Sequence, residues 1–227
     1  MMQLATAYFS EEEQRAIAAA IAEAEAQTAA EIVPVVATVS GRYDRAESIF
    51  GFLFALSCLA VAWLGFQEIR PVENDWAGGY QFGLNLTAII LILVMTYIVG
   101  VIAATYLPIL RRPFISRQEM AAEVAEAAQA AFYQFRVHRT AAGTGLVIYL
   151  SLYERQVQIL GDESLDDVLS QAEWDALRDL VVSGLREGHG ADGLIAAIRR
   201  CGELLAAPVP VAAGDRNELH NELQFIE

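Results

Sequence analysis

The sequence predicts an α/β domain, sheet and helices in layers, interrupted by a two-helix transmembrane hairpin. Two uncharged apolar runs, 49–66 and 82–110, lie in the middle of the chain. Short apolar or β-branched runs alternate with helix-period segments on either side of them, the pattern of layered α/β architecture. One strand precedes the hairpin and two follow it, so the sheet must be completed across an interruption of about 70 residues, a length whose closure entropy grows only slowly.

The elements follow in order. Ser10-Glu11-Glu12-Glu13 is a capping box, in which the serine caps an orphan N–H while Glu13 bonds back. Ile17, Ile21 and Ala24 recur at helical spacing, giving a helix to about Gln27. The run 31–39 is short and β-branched and reads as a strand; Pro34 has no N–H for a ladder, which predicts an edge position or a bulge. After the hairpin, Ser116-Arg117-Gln118-Glu119 is a second capping box, opening an Ala/Glu-rich helix to about Phe135. The nearly continuous apolar run 145–152 suits a central strand covered on both faces. Tyr153-Glu154-Arg155 turns the chain, and 156–160 returns as its hairpin partner. A third capping box, Ser170-Gln171-Ala172-Glu173, opens a helix carrying Trp174, Leu177, Leu180, Val181 and Leu185. Gly188-His189-Gly190 breaks it, with His189 at a C-cap, and a last helix runs from about 192 to 205 with Ile195, Ile198 and Leu204 inward.

The first apolar run is 18 residues, about 27 Å as a helix, and the second is 29, enough to span with tilt. Lipid leaves backbone polar groups no partner outside the segment, so both are expected to be helical. Arg42, Arg45, Arg111, Arg112 and Arg117 flank the outer ends, whereas the loop 67–81 holds only Arg70. That bias predicts both polar segments on the cytoplasmic side of an inner or plasma membrane. Trp63, Trp76, Tyr80 and Tyr106 fall near the expected interfaces. The first 27 residues are polar and show no secretory signal. Gly100-Val101-Ile102-Ala103-Ala104 is a small-residue face suited to packing within the hairpin or between subunits.

Composition narrows the functions. The protein is acidic, with 29 Asp+Glu against 15 Arg and no Lys and a formal charge of −14, which argues against nucleic acid and against a polybasic lipid dock. Cys58 lies in a span and Cys201 in a helix of the soluble part, so no disulfide joins them, and neither has metal-ligand spacing. The spans 49–66 and 82–110 contain no ionisable residue for a proton relay. The hydrolase elbow, zinc-protease, Walker and C-x-x-C signatures are missing.

Taken together, several pieces resemble the TPM family, named for a thylakoid phosphatase-like protein, a photosystem repair protein and a receptor modulator. They are Phe9-Ser10-Glu11-Glu12-Glu13, Thr28-Ala29-Ala30-Glu31-Ile32, His138-Arg139-Thr140, the strand from Gly145 to Ser151, Glu154-Arg155, and Val157-Gln158-Ile159-Leu160-Gly161-Asp162. Trp174, Gly193-Leu194-Ile195-Ala196-Ala197-Ile198 and Gly214-Asp215-Arg216-Asn217-Glu218-Leu219-His220-Asn221 follow in the expected order. The chain departs from the pattern at Asp162-Glu163-Ser164, where glycine is usual soon after the aspartate, and at His220, where proline is commoner. The resemblance implies a TPM-like layered domain in a membrane-anchored, bacterial-type member. It implies either acid phosphatase activity, as in some plant members, or an assembly or accessory role.

Asp162, Glu163, Asp166 and Asp167 follow a strand end, where α/β sheets tend to bind ligands, and close carboxylates suit Ca²⁺ or Mg²⁺. Asp215, Asn217 and Glu218 would complete an oxygen-rich site if the tail folds back, but the loop matches no EF-hand spacing and a solvated acidic loop is the plain alternative. His138, Arg139 and Thr140 are candidate anion contacts, or simply a helix terminus with favourable cations. No residue is assigned a catalytic role.

The expected organisation is residues 1–46 and 114–213 as two parts of one TPM-like domain, 47–113 as the hairpin, and 214–227 as an acidic tail. The leading expectation is a non-enzymatic binding or assembly and maintenance module, held in the bilayer beside a membrane-protein partner or self-associating through its spans. The alternative is a divalent-metal-assisted acid phosphatase.

Overall fold

The computed structural model describes residues 4–66, 69–71, 80–82, 84–140, 143–211 and 219–227. The chain divides into two compact units, residues 42–117 and residues 2–41 with 118–227.

In the discontinuous unit, helix α1 (Glu11–Glu25) leads into strand β1 (Glu31–Ala37). Ser10 and Glu13 close the expected capping box: the Ser10 N–H donates to the Glu13 carboxylate at 2.8 Å and the Glu13 N–H to Ser10 Oγ at 3.3 Å. In the other unit lie α2 (Asp44–Phe66), the backbone pair β2 (Ile69–Pro71) and β3 (Tyr80–Phe82), α3 (Leu86–Tyr106) and the short α4 (Pro108–Arg111). The discontinuous unit resumes with α5 (Arg117–Gln134), β4 (Gly145–Ser151), β5 (Gln156–Gly161), the single turn α6 (Glu163–Asp166), α7 (Gln171–Glu187), α8 (Gly190–Leu205) and β6 (Gln224–Ile226).

The sheet order is β5-β4-β1-β6. β1 runs parallel to β4 over its whole length, from Glu31 opposite Gly145 to Ala37 opposite Ser151, so the strand before the hairpin does pair with the strand after it. β4 and β5 form the expected antiparallel hairpin, with Arg155 at φ 57° in the turn.

Alternation along the two central strands sends one set of side chains to each face. Ile32, Val36, Leu146, Ile148 and Leu150 pack with Ile17 and Ile21 of α1, Leu177 and Val181 of α7, and Leu194 and Ile198 of α8. Val33, Val35, Ala37, Val147 and Tyr149 face the other way and pack under Val124, Ala128 and Phe132 of α5. β4 is buried at every residue because helices cover both sides of it. On α8, Ile198 is fully buried together with Leu194, Ala197, Cys201 and Leu205, while Ile195 and Leu204 lie at the rim of the core rather than inside it. Helices α7 and α8 approach closely at Gly184 and Gly193, where a Cβ added to Gly193 would stand 2.9 Å from the Gly184 Cα. Gly188, not His189, takes the left-handed C-cap of α7, at φ 81°.

Pro34 does not put β1 at the sheet edge, because β6 lies on its far side. The Ala37 carbonyl accepts from Leu152 while the Thr38 N–H donates to Ile226, so the even-numbered residues of β1 turn their amides toward β6. β6 begins its pairing only at Val35, and Pro34 precedes it with no N–H to satisfy. The Ile32 N–H, on that same uncovered stretch, donates to Glu25 Oε1 at 3.1 Å. Burial pushes the Glu25 carboxyl up to about 7; the Ile32 N–H and Asn221 side chain oppose the shift and neighbouring Glu31 adds to it.

Within the unit 42–117, α2 and α3 are long and apolar enough to cross a membrane. Their apolar side chains are largely exposed, Leu64 at 86% and Leu86 at 71%. α2 begins upstream of the expected run, at Asp44. The second run is shorter than its 29 residues suggested. Phe82 belongs to β3, Asn85 caps α3 by accepting from the Ala88 N–H at 2.9 Å, and Pro108 ends it by forcing Leu107 off helical dihedrals, at φ −118° and ψ 80°. The small-residue face packs inside the hairpin: a Cβ added to Gly100 would stand 2.8 Å from the Gly51 Cα. At one end Glu47 and Arg111 form an ion pair with both side chains only 10% exposed. The Thr105 hydroxyl donates to Glu47 Oε2 at 2.8 Å, and the Arg111 guanidinium lies 5.6 Å from the centroid of the Tyr43 ring.

Replacing residues 47–113 with a short Gly/Ser linker should leave the β1–β4 pairing intact, because the shorter loop lowers closure entropy. A cooperative melting transition in the shortened protein is the expected result, and a molten product counts against it. Glu25 gives a second test. Its folded carboxyl titrates near 7 against an ordinary 4.5, so the folded state binds the extra proton and stability falls as pH rises from about 4.5 through 7. Glu25→Gln should melt close to the parent at pH 4.5 and above it at pH 8, as read by thermal denaturation at both values.

Candidate functional site

Two polar constellations sit in the discontinuous unit. The first lies beyond the carboxyl ends of the parallel strands β1 and β4. Glu154, in the turn after β4, is 4% exposed, and its carboxylate accepts the Ser40 N–H at 3.1 and 3.3 Å and the Gly41 N–H at 3.2 Å. The fully buried Ser151 hydroxyl also donates to it. The Ser40 hydroxyl donates to Ser151 Oγ at 2.8 Å and stands 3.1 Å from the Tyr149 hydroxyl. Burial raises the Tyr149 phenol, and burial followed by Glu126, Glu119 and Glu154 raises the carboxyl of Glu123 on α5. The knot spends its acceptors on the backbone of residues 40 and 41 and offers no exposed nucleophile. In the sequence Glu154 reads as a turn residue and as part of the Glu154-Arg155 piece of the resemblance, but its meeting with Ser40 and Gly41 depends on the β1–β4 pairing and is not legible there.

The second constellation is a cleft of about 450 Å³ between α5 and the end of β5, lined by Gln129, Phe132, Tyr133, His138, Asp162 and Glu163 among others. The chain builds it in three steps. Residues 129, 132 and 133 are neighbours on one helix face. Arg136, at φ 58°, reverses the backbone after α5 and leads into the 3₁₀ turn that carries His138. Asp162 then ends β5, its N–H donating to the Gly145 carbonyl at 2.9 Å, and caps α6 through Oδ1, which accepts the Glu163 N–H at 3.0 Å. Ser164 ties this corner down by donating to the Gly143 carbonyl.

The cleft brings together two groups that the sequence kept apart, His138 and the pair Asp162 and Glu163. Phe132, Tyr133 and His138 form a triangle of rings with centroid separations of 5.9, 6.4 and 5.0 Å. His138 Nδ1 is buried and has no hydrogen-bond partner among the described residues. The remaining candidates stand elsewhere. Arg139 is exposed, and Thr140 Oγ1 accepts the Thr144 N–H at 3.0 Å. Asp166 and Asp167 are exposed and do not line the cleft. Asp215, Asn217 and Glu218 lie outside the described residues. Among the described residues no three His, Cys, Asp or Glu side chains are grouped to hold a metal.

The polar knot predicts a measurable cost. Glu154→Leu strands the Ser40 and Gly41 N–H groups in a buried site, which should destabilise the protein by about 3 kcal/mol. Denaturant unfolding of the parent and the variant checks this, and a loss below about 1 kcal/mol would mean that water replaces the carboxylate.

Residues 115–204 match the TPM domain family. The resembling segments at 9–13, 28–32 and 214–221 fall outside the matched stretch. No curated protein matches the chain in sequence. Among solved structures, the BA42 protein from the psychrophilic bacterium Bizionia argentinensis is similar, with a TM-score of 0.55 and 19% identity, over 96% of this chain and 94% of that one. At that identity the likeness speaks for the fold alone. The chain carries a TPM domain at residues 115–204, within an α/β fold like that of BA42.

Proposed function

We propose that this chain is a membrane-anchored TPM protein that binds a membrane-protein partner and assists its assembly or maintenance, without turning over a substrate. The observation that carries the anchored reading is the pair α2 and α3, long, apolar and largely exposed along their lengths. Burial of such helices in lipid removes apolar surface that water would penalise. The arginine bias at the outer ends of the hairpin supports a cytoplasmic side for the polar segments. For the binding part, support comes from how the domain uses its chemistry: the Glu154 carboxylate is engaged by backbone N–H groups and the Ser151 hydroxyl, and among the described residues lining the cleft at His138 no nucleophile is held against a base.

A metal-assisted phosphatase is the competing reading, resting on Asp162 at a strand end beside His138. One experiment separates them. The full chain should stay with membranes after an alkaline carbonate wash, and the detergent-solubilised protein should leave a generic phosphomonoester intact with and without Ca²⁺ or Mg²⁺. Release into the wash overturns the anchored reading. Phosphate release that Asp162→Asn abolishes overturns the non-enzymatic one.

A further inference from the structure

The cleft between α5 and the end of β5 has an unusual balance of chemistry. Two carboxylates, Asp162 and Glu163, stand at one side of it, and no arginine is among its lining residues. Phe132, Tyr133 and His138 also line it, as rings with centroids 5.9, 6.4 and 5.0 Å apart. Tyr133 is 57% exposed, so its ring is open to a ligand, whereas Phe132 is buried behind it. The Nδ1 of His138 is a buried polar atom without a partner among the described residues.

Aromatic faces attract cations through the ring quadrupole, and carboxylates do so through charge and hydrogen bonding. A phosphate or carboxylate ligand would meet like charge here with no cation to offset it. A bare metal ion would leave the rings unused, and among the described residues no metal-binding group is formed. A planar cation with several N–H donors uses both kinds of wall at once: stacking on the exposed Tyr133 ring and donating to the carboxylates. The cleft volume of about 450 Å³ lies in the ordinary range of small-ligand sites and admits such a head group with part of its stem.

We infer that the α5–β5 cleft is a recognition site for an organic cation, an arginine guanidinium of the partner protein, held between the Phe132–Tyr133–His138 rings and the Asp162 and Glu163 carboxylates. This names the partner chemistry for the binding module proposed above and rests on that reading. Of His138, Arg139 and Thr140, only the histidine is among the described lining residues, and Arg139 is exposed, so on this inference His138 serves a cation site rather than the anion contact expected from the sequence.

The test titrates the full chain in detergent micelles with blocked Gly-Arg-Gly peptide, its citrulline counterpart, argininamide and Ca²⁺, following binding by NMR or calorimetry. The arginine peptide should bind saturably, and citrulline, isosteric but uncharged, should bind roughly tenfold more weakly. Argininamide binding as well as the peptide would identify a free small molecule as the natural source; tighter peptide binding identifies a protein. Asp162→Asn with Glu163→Gln keeps the α6 cap and should weaken the peptide by roughly tenfold or more at unchanged melting temperature. Tyr133→Ala should weaken it by roughly threefold to tenfold. Equal affinity for citrulline, or indifference to the double variant, overturns the inference as mere attraction to an acidic surface. Ca²⁺ binding that the double variant abolishes, with no arginine binding, overturns it in favour of a metal site. None of these results bears on carbonate extraction or phosphomonoester turnover, so failure here is distinguishable from failure of the anchored, non-enzymatic reading.

Discussion

The parallel ladder between β1 and β4 is the constraint on which the rest depends. Its seven residue pairs join segments more than 100 residues apart in sequence, and every residue of both strands is buried. Once Glu31 faces Gly145 the register sends Ile32, Leu146, Ile148 and Val36 to one face and Val33, Val147, Val35 and Tyr149 to the other. A one-residue slip would exchange those faces and present each helix with the wrong set of side chains. The same register brings the ends of the two strands level, Ala37 beside Ser151, which is why the loop at Ser40 and Gly41 meets Glu154.

Much of this was legible. Capping boxes announced α1 and α7, where Ser10 and Ser170 engage Glu13 and Glu173. The unbroken apolar character of 145–152 announced a strand covered on both sides, and the small face at Gly100 announced close helix packing. Pro34 misled because a missing N–H was read as a property of the whole strand. The requirement is local: β6 is only three residues long, and its pairing starts one position after the proline. A C-terminal segment of this length, Gln224–Ile226, carries too little periodicity to be seen as a strand. Its docking is tertiary, through Glu227 accepting from the Thr6 and Thr38 hydroxyls at 2.9 and 3.0 Å.

The candidate site was legible residue by residue but not as a place. Asp162 and His138 were each singled out, one as a metal ligand and one as an anion contact, from neighbours adjacent in sequence. Space regroups them. The chain turns at the left-handed Arg136 and sets His138 against Phe132 and Tyr133 of α5, while Asp162 and Glu163 at the start of α6 line the same cleft. The cleft thus groups residues that the chain keeps apart, and what decides a site's ligand is the set of groups that converge.

Two glutamates, Glu154 buried and Glu25 half-buried, show how the environment, not the residue type, sets the outcome. Glu154 collects donors from two backbone amides and a serine hydroxyl, so its burial is matched by polar contacts and it fastens the end of the sheet. Glu25 takes one backbone amide on the stretch of β1 that β6 leaves uncovered and shares its surroundings with Glu31, and desolvation prevails. The first carboxylate is a structural fastening and the second a point of tension at the sheet edge. That tension is tolerable because the alternative is worse: without Glu25 the Ile32 N–H would lie beside a proline that cannot share its edge, with no strand to receive it.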